Sequence, residues 1–250
     1  MRLALFILRQ IGIDPLKFLK FVRNLPRFLS NLFTFCFKNR FARIRIAPVF
    51  SDFHEEGGSA SGHYFWQDLL CAKWIFESGP INHLDVGSRV DGFIAHLLTF
   101  RKVDILDIRP IRSHVPGLRI QIGDAQLPLL QFQNGYESVS SLHAIEHFGL
   151  GRYSDKIDIS GHKKGLLNIS SCVKVSGELY ISFPIGQPTV EFNSQRVLHP
   201  NWPVDALPNF ELIEFVLIPW KADPVFNIMP SMVDLNQKGN AGLYRLKRRY

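Results

Sequence analysis

Hydrophobic and polar positions change their rhythm twice along the chain. From Pro15 onward, Leu16, Leu19, Phe21, Leu25, Phe28, Leu29, Leu32 and Phe33 are interleaved with Lys17, Lys20, Arg23 and Arg27. That helical spacing separates an apolar side from a basic one and predicts one or two amphipathic helices, broken or kinked at Pro26. Residues 51–62, SDFHEEGGSASG, carry no period and read as a linker between a helical extension (1–50) and a main domain (63–250). Helical spacing returns at Phe65, Trp66, Leu69, Leu70 and Trp74, so a helix is expected from about His63 to the Gly79-Pro80 stop.

Beyond residue 80 strand-like and helix-like blocks alternate. Residues 81–86, 103–108, 118–122, 136–142 and 178–183 read as strands, and 92–100 and 163–173 as helices. Two further strands are expected at 210–218 and 242–248, separated by a long excursion. Strands alternating with helices imply an α/β, doubly wound parallel sheet covered on both faces, with ligands outside the carboxyl ends of its strands.

Composition narrows the classes. With 46% hydrophobic and 20% charged residues in 250, the chain can bury a core without staples, which excludes general disorder and a disulfide miniprotein. Cys36, Cys71 and Cys172 are odd in number, far apart and in apolar contexts, so three buried thiols and no metal site are expected. The net charge of +7 is lopsided: residues 1–46 hold ten Lys/Arg against Asp14 alone, and the remainder holds 19 bases against 21 acids. Nucleic acid is therefore an improbable partner for the body. The apolar stretches at the N-terminus are too short for a secretory core or a membrane span. The expected location is cytoplasmic and peripheral, with residues 1–46 meeting an anionic inner membrane face.

Chemistry is concentrated at the strand ends. Asp85 stands two residues before Gly87, Asp107 ends the second strand and Asp124 follows the third. Singly, each would be an ordinary turn or cap residue; three in phase beside a glycine turn suggest a ligand. Gly87, Gly92 and Asp107 roughly match a dinucleotide fingerprint, but Arg89 replaces its middle glycine, and Asp85 and Asp124 would repel a diphosphate. A cationic, phosphate-free adenosyl ligand suits these acids better.

This stretch resembles the class I S-adenosylmethionine-dependent methyltransferases. The resemblance implies a Rossmann-like sheet with one antiparallel C-terminal strand, and S-adenosyl-L-methionine as cofactor. Asp85, Gly87 and Ser88 would then lie around its methionine end, Asp107 and Ile108 at the ribose, and Asp124 and Ala125 at the adenine. The glycine loop 87–92 is reduced relative to the family. Ser140 to His147 is similar to the family segment after the fourth strand, and 175–184 to its turn into the fifth. A narrower resemblance, to an uncharacterised methyltransferase-like domain of unknown function, rests on Glu146 to Asp155, Ile157-Asp158, Gly161, Phe192 to Val197, and Gly12 to Pro15.

Methyl transfer needs a positioned acceptor and often a base. The loops 143–162 and 184–200 are expected to roof the site. Within them Glu146, His147 and His143 are the catalytic candidates. Asp155, Asn193 and Arg196 are the acceptor-binding candidates, with Arg196 suited to an anionic group. His162 is a further candidate, and for each of these side chains an ordinary structural role is the more frequent outcome. The acceptor is expected to be a small molecule or a glycan- or lipid-linked group at a membrane surface. Two readings stay open beside it: a cofactor-binding pseudoenzyme, and a peripheral membrane scaffold.

Overall fold

The structure, a computed structural model, describes residues 14–38, 44–50, 52–54, 57, 58, 60–112 and 114–250. Gly12-Ile13, the bases at positions 2, 9, 40 and 43, and part of the 51–62 stretch lie outside them. The chain divides into two units, Met1–Ser59 and Ala60–Tyr250.

In the first unit one helix, α1 (Pro15–Lys38), continues across Pro26 without a break. Asp14 starts it by accepting from the Leu16 and Lys17 amides (3.0 and 3.4 Å), and Pro15 occupies the first turn, where no amide proton is needed. Pro26 does not divide the helix because Phe50 braces both sides of it. The Phe50 ring packs edge-on to Phe21 (4.7 Å) and tilted on Phe28 (5.2 Å), and its carbonyl accepts from Asn24 Nδ2 (2.8 Å). Phe18, Val22, Leu29 and Phe33 are exposed. Cys36 is exposed too, which corrects the expectation of three buried thiols; it falls on this helix, whereas Cys71 and Cys172 are in the core.

The second unit begins with α2 (His63–Ser78), ended by Gly79 in the left-handed conformation. A seven-stranded sheet follows: β1 (His83–Val86), β2 (Val103–Asp107), β3 (Leu118–Ile122), β4 (Tyr136–Leu142), β5 (Val173–Ile185), β8 (Phe210–Pro219) and β9 (Asn240–Arg248). A separate hairpin pairs β6 (Thr189–Glu191) with β7 (Gln195–Val197). The sheet order is β3-β2-β1-β4-β5-β9-β8. The first five strands are mutually parallel, and β9 lies antiparallel between β5 and β8. The antiparallel C-terminal strand is thus an interior one. The expected helix at 92–100 is a π-helical turn (Val90–Ile94), with Gly92 in a non-helical conformation inside it, running into the short α3 (Ala95–Leu98). The helix before β5 is α4 (Gly161–Ser171), and α5 (Trp202–Ala206) precedes β8.

Alternate residues of each strand feed opposite cores. Leu106, Leu179, Ile181, Phe215 and Tyr244 pack with Leu166 and Ile169 of α4. Ile105, Tyr180, Val216 and Leu243 pack with Cys71, Trp74 and Ile75 of α2 and with Phe93 and Leu97. Both faces are therefore covered, and the carboxyl ends of β1 to β5 are left to carry chemistry.

Candidate active site

At the end of β1 the chain turns on Gly87, whose φ is +79°; a Cβ there would stand 2.8 Å from the Cβ of Ala144. Only glycine fits the conformation and the approach together. Asp85 is fully buried. One oxygen accepts from the Ser88 amide (3.0 Å), the other from Ser88 Oγ (2.7 Å) and Ser140 Oγ (2.6 Å). Ser88 Oγ in turn accepts from the Leu142 amide (3.1 Å). Asp85 and Ser88 thus tie the glycine turn to β4 and line neither of the two cavities described below. Burial pushes the Asp85 carboxyl up to about 7. Deeper in the sheet, His83 reaches Ser138 Oγ (2.7 Å) and Ser140 Oγ (3.0 Å), and burial holds it down at about 3.

The first cavity is a narrow cleft of about 40 Å³ at the ends of β1, β2 and β3, lined by Gly87, Asp107, Ile108, Asp124, Ala125 and His143 among others. Arg109 and Tyr153 crowd it. Arg109 forks onto Asp107 (Nε to Oδ1 2.9 Å, Nη2 to Oδ2 2.6 Å) and donates its own amide to Oδ1 (2.8 Å). Its guanidinium also reaches the Gly87 carbonyl (3.2 Å) and lies 4.7 Å from the centre of the Tyr153 ring. A carboxylate offers about four lone-pair positions, so the fork still leaves Asp107 Oδ2 with one for a ligand hydroxyl. Asp124 accepts from the Gln126 amide (2.9 Å) and faces the same cleft. Asp155 lines it as well, but its oxygens hold the amides of Gly149 (2.7 Å) and Tyr153 (3.2 Å), so its task is to shape the loop that carries Tyr153.

The second cavity, about 770 Å³, opens between the start of α2, the segment after β4, the β6–β7 hairpin and residues 235–240. His143 and His147 stand in the walls of both cavities. His143, at φ +50°, directs Nδ1 to Glu146 Oε1 at 2.7 Å. The Glu146 side chain is entirely buried and that of His143 is 7% exposed. With Nδ1–H donated to the carboxylate, Nε2 is left as the basic nitrogen, and it has no partner within the protein. His63 stacks on His143 (5.5 Å, 10° between planes), donates Nε2–H to the Gly239 carbonyl (3.0 Å) and meets Trp220 edge-on (5.3 Å). Burial lowers His63 to about 4 and keeps it neutral. The Tyr64 ring lies 5.2 Å from His143. His147 donates Nδ1–H to the Ser194 carbonyl (2.7 Å), its Nε2 stands 3.7 Å from Glu146 beyond hydrogen-bond range, and burial lowers its pKa.

Of the residues singled out in the sequence, Gly87, Asp107, Ile108, Asp124 and Ala125 meet in the first cavity, and His143, Glu146 and His147 meet at the second. Asn193 and Arg196 do not reach either. Asn193 sits at the exposed tip of the hairpin with φ +62°. The Arg196 fork, read as an anion receiver, is turned inward: it donates to the backbone carbonyls of Phe148 (2.5 Å), Glu146 (3.4 Å) and Asp158 (3.5 Å) and clamps the loop after β4. His162 packs against Trp202 (5.4 Å) and is likewise in neither cavity. Sequence reasoning missed His63, Tyr64, Trp220, Arg109 and Tyr153. Arg109 alone had a local signal, an acid two residues before it.

A doubly wound sheet of this order, with its antiparallel strand inside and its cavities at the carboxyl ends of the first strands, is the class I S-adenosylmethionine-dependent methyltransferase fold. Solved structures bear this out. The N-methyltransferase NodS of Bradyrhizobium japonicum WM9, in complex with S-adenosyl-L-homocysteine, has TM-score 0.50 and 11% identity over 76% of this chain and 89% of its own. The Burkholderia thailandensis 1,6-didemethyltoxoflavin-N1-methyltransferase, with bound 1,6-didemethyltoxoflavin and S-adenosylhomocysteine, has TM-score 0.52 and 12% identity over 74% and 79%. The [4+2]-cyclase SpnF has TM-score 0.50 and 10% identity over 73% and 81%. At such identities the likeness is one of fold, and SpnF illustrates that the fold hosts other chemistry. More particularly, residues 119–211 match the family described as "Caenorhabditis protein of unknown function, DUF268". That stretch carries β3 to β5, the Glu146–His147 segment and the hairpin. No curated protein matches the chain.

Proposed function

We propose that this protein is a methyltransferase that uses S-adenosylmethionine and methylates an acceptor held in the 770 Å³ cavity. The observation that carries the reading is His143, which stands in the walls of both cavities with its Nδ1 on Glu146, a residue of the second, and its Nε2 unpartnered. When bound, S-adenosylmethionine supplies an electrophilic methyl group on a sulfonium. The Gly87 turn leaves room for it at the backbone, Asp107 Oδ2 offers an acceptor for the ribose, and Asp124 with Ala125 offers the adenine wall. Arg109 and Tyr153 must part for the cleft to admit a nucleoside. His143 takes the acceptor's proton, and buried Glu146 aligns the imidazole and stabilises its charge.

Calorimetry with S-adenosylhomocysteine tests the cofactor. Asp107→Ala should weaken binding about tenfold to a hundredfold, the equivalent of a charge-assisted hydrogen bond of about 1.5 to 3 kcal/mol. Micromolar binding of a nicotinamide dinucleotide, with no heat from S-adenosylhomocysteine at several temperatures, overturns the reading. Binding with no methyl transferred to any acceptor identifies a pseudoenzyme instead.

A second reading concerns α1 and does not depend on the first. We propose that it lies on an anionic membrane surface, because it exposes Phe18, Val22, Leu29 and Phe33 on one side and carries Lys20, Arg23 and Arg27 on the other. No helix among the described residues is long and apolar enough to cross a membrane.

A further inference from the structure

We infer that the acceptor is a carbohydrate and that the methyl group goes to one of its hydroxyl oxygens; this rests on the methyl-transfer reading above. The first ground is the base. An amine can release its proton to solvent before it binds, but a sugar hydroxyl is far too weak an acid to do so, and its proton must leave as the new bond forms. That requires a base in contact with the hydroxyl. His143 lines the cavity and is the residue placed to serve: Glu146 holds its Nδ1 at 2.7 Å, and its Nε2 has no protein partner but is buried, so the wall must shift for a hydroxyl to reach it. In the reaction the hydroxyl oxygen takes the methyl carbon from a sulfonium donor, which departs as a neutral thioether, and the hydroxyl proton passes to His143 Nε2. His63 stays neutral in its stack against that ring, so it adds no repulsion to the imidazolium.

The second ground is the wall. Tyr64 and Trp220 present rings, whose apolar bodies suit the C–H faces of a pyranose. Gln187 and Asn236 present amides, which both donate and accept, as a hydroxyl does. Charges in the lining are largely engaged already: Arg152 donates to the Ser194 carbonyl (2.9 Å), and Glu191 accepts from Gln195 (2.9 Å). Lys238 is an exposed residue. A cavity of about 770 Å³ is also roomy for a small amine and has space for more than one sugar ring.

The test uses the full chain. Calorimetry with S-adenosylhomocysteine comes first. The protein is then given methyl-labelled S-adenosylmethionine and a panel of methyl glycosides, disaccharides and their amino-sugar counterparts, and mass spectrometry locates the label. In parallel, saturation-transfer NMR reads contact between the protein and the unlabelled sugars without any turnover. We expect the label on a ring hydroxyl oxygen. Saturation transfer should fall at least tenfold in Trp220→Ala. In His143→Gln, kcat should fall about a hundredfold or more with KM for the sugar changed less than threefold. If S-adenosylhomocysteine binds but the label goes to nitrogen, sulfur or a carboxylate, or no sugar shows saturation transfer, the carbohydrate inference is overturned and methyl transfer stands. If S-adenosylhomocysteine does not bind, both fall.

Discussion

His83 and Asp85 are alternate residues of β1, both buried, and burial moves them in opposite directions because it disfavours whichever form is charged. For His83 the unfolded chain takes a proton below 6.5 while the folded one does not until about 3. Its contribution to stability is therefore complete above 6.5 and is lost as pH falls through that window. For Asp85 the folded state keeps its proton to about 7 and the unfolded one ionises above 3.8, so its contribution is complete below 3.8 and declines as pH rises toward 7. The two slopes oppose each other in the wild-type protein and can be separated by substitution. His83→Gln removes one of them. The stability gap between wild type and this variant should narrow by about 1.4 kcal/mol per pH unit below 6.5. Urea unfolding from about pH 7.5 to about pH 4.5 reads it, and a gap independent of pH would show that His83 is not the titrating group. At this scale the sequence was legible in residue type and opaque in partner. Asp107 stood out as an acid at a strand end, yet nothing in the spacing told whether its oxygens faced a ligand or, as found, the Arg109 fork.

Elements with strong periodicity were read closely, and the rest were not. The strands β1 to β4 and the helix α2 fall close to where short apolar runs and helical spacing put them, because burial is what these elements share, whereas β5 starts at Val173, five residues before the expected strand and at the end of the expected helix. The β6–β7 hairpin was missed for the same reason: all three residues of β6 are exposed, so no alternation marks it. Pro26 was overread, since Phe50, 24 residues on, supplies the brace that keeps α1 whole. The amphipathic pattern of α1 also makes its membrane role testable. Each base near an anionic surface is worth about 1 kcal/mol, so replacing Lys20 and Arg27 with Gln should lower partitioning onto anionic vesicles about thirtyfold at low salt. Phe18→Asp with Phe33→Asp should abolish it. Vesicle co-sedimentation decides the matter, and equal partitioning onto neutral and anionic vesicles, or none onto either, removes α1 from any membrane role.

At the scale of the molecule, every member of the two apolar clusters lies between Trp66 and Leu246. Stability should therefore reside in the second unit alone. A chain of residues 60–250 should unfold cooperatively in urea within about 1 kcal/mol of the full chain, bind S-adenosylhomocysteine equally well and lose any affinity for vesicles. A broadened transition or a loss of several kcal/mol would show that residues 1–59 take part in the fold.

The sequence alone determined the succession of strands and helices, the doubly wound sheet and the gathering of Asp85, Gly87, Asp107 and Asp124 at its carboxyl edge. Each of these rests on short-range physics: alternation along a strand, helical spacing, and a turn that only glycine can make. Tertiary structure decided which of those groups face a cavity. It buried Asp85 in a cage with Ser88 and Ser140, turned the Arg196 fork inward onto carbonyls, and stacked His63 on His143 while His63 Nε2 holds the carbonyl of Gly239, 176 residues away. Contacts over such separations depend on how the whole sheet is ordered and which loops close over it, and no local period records them.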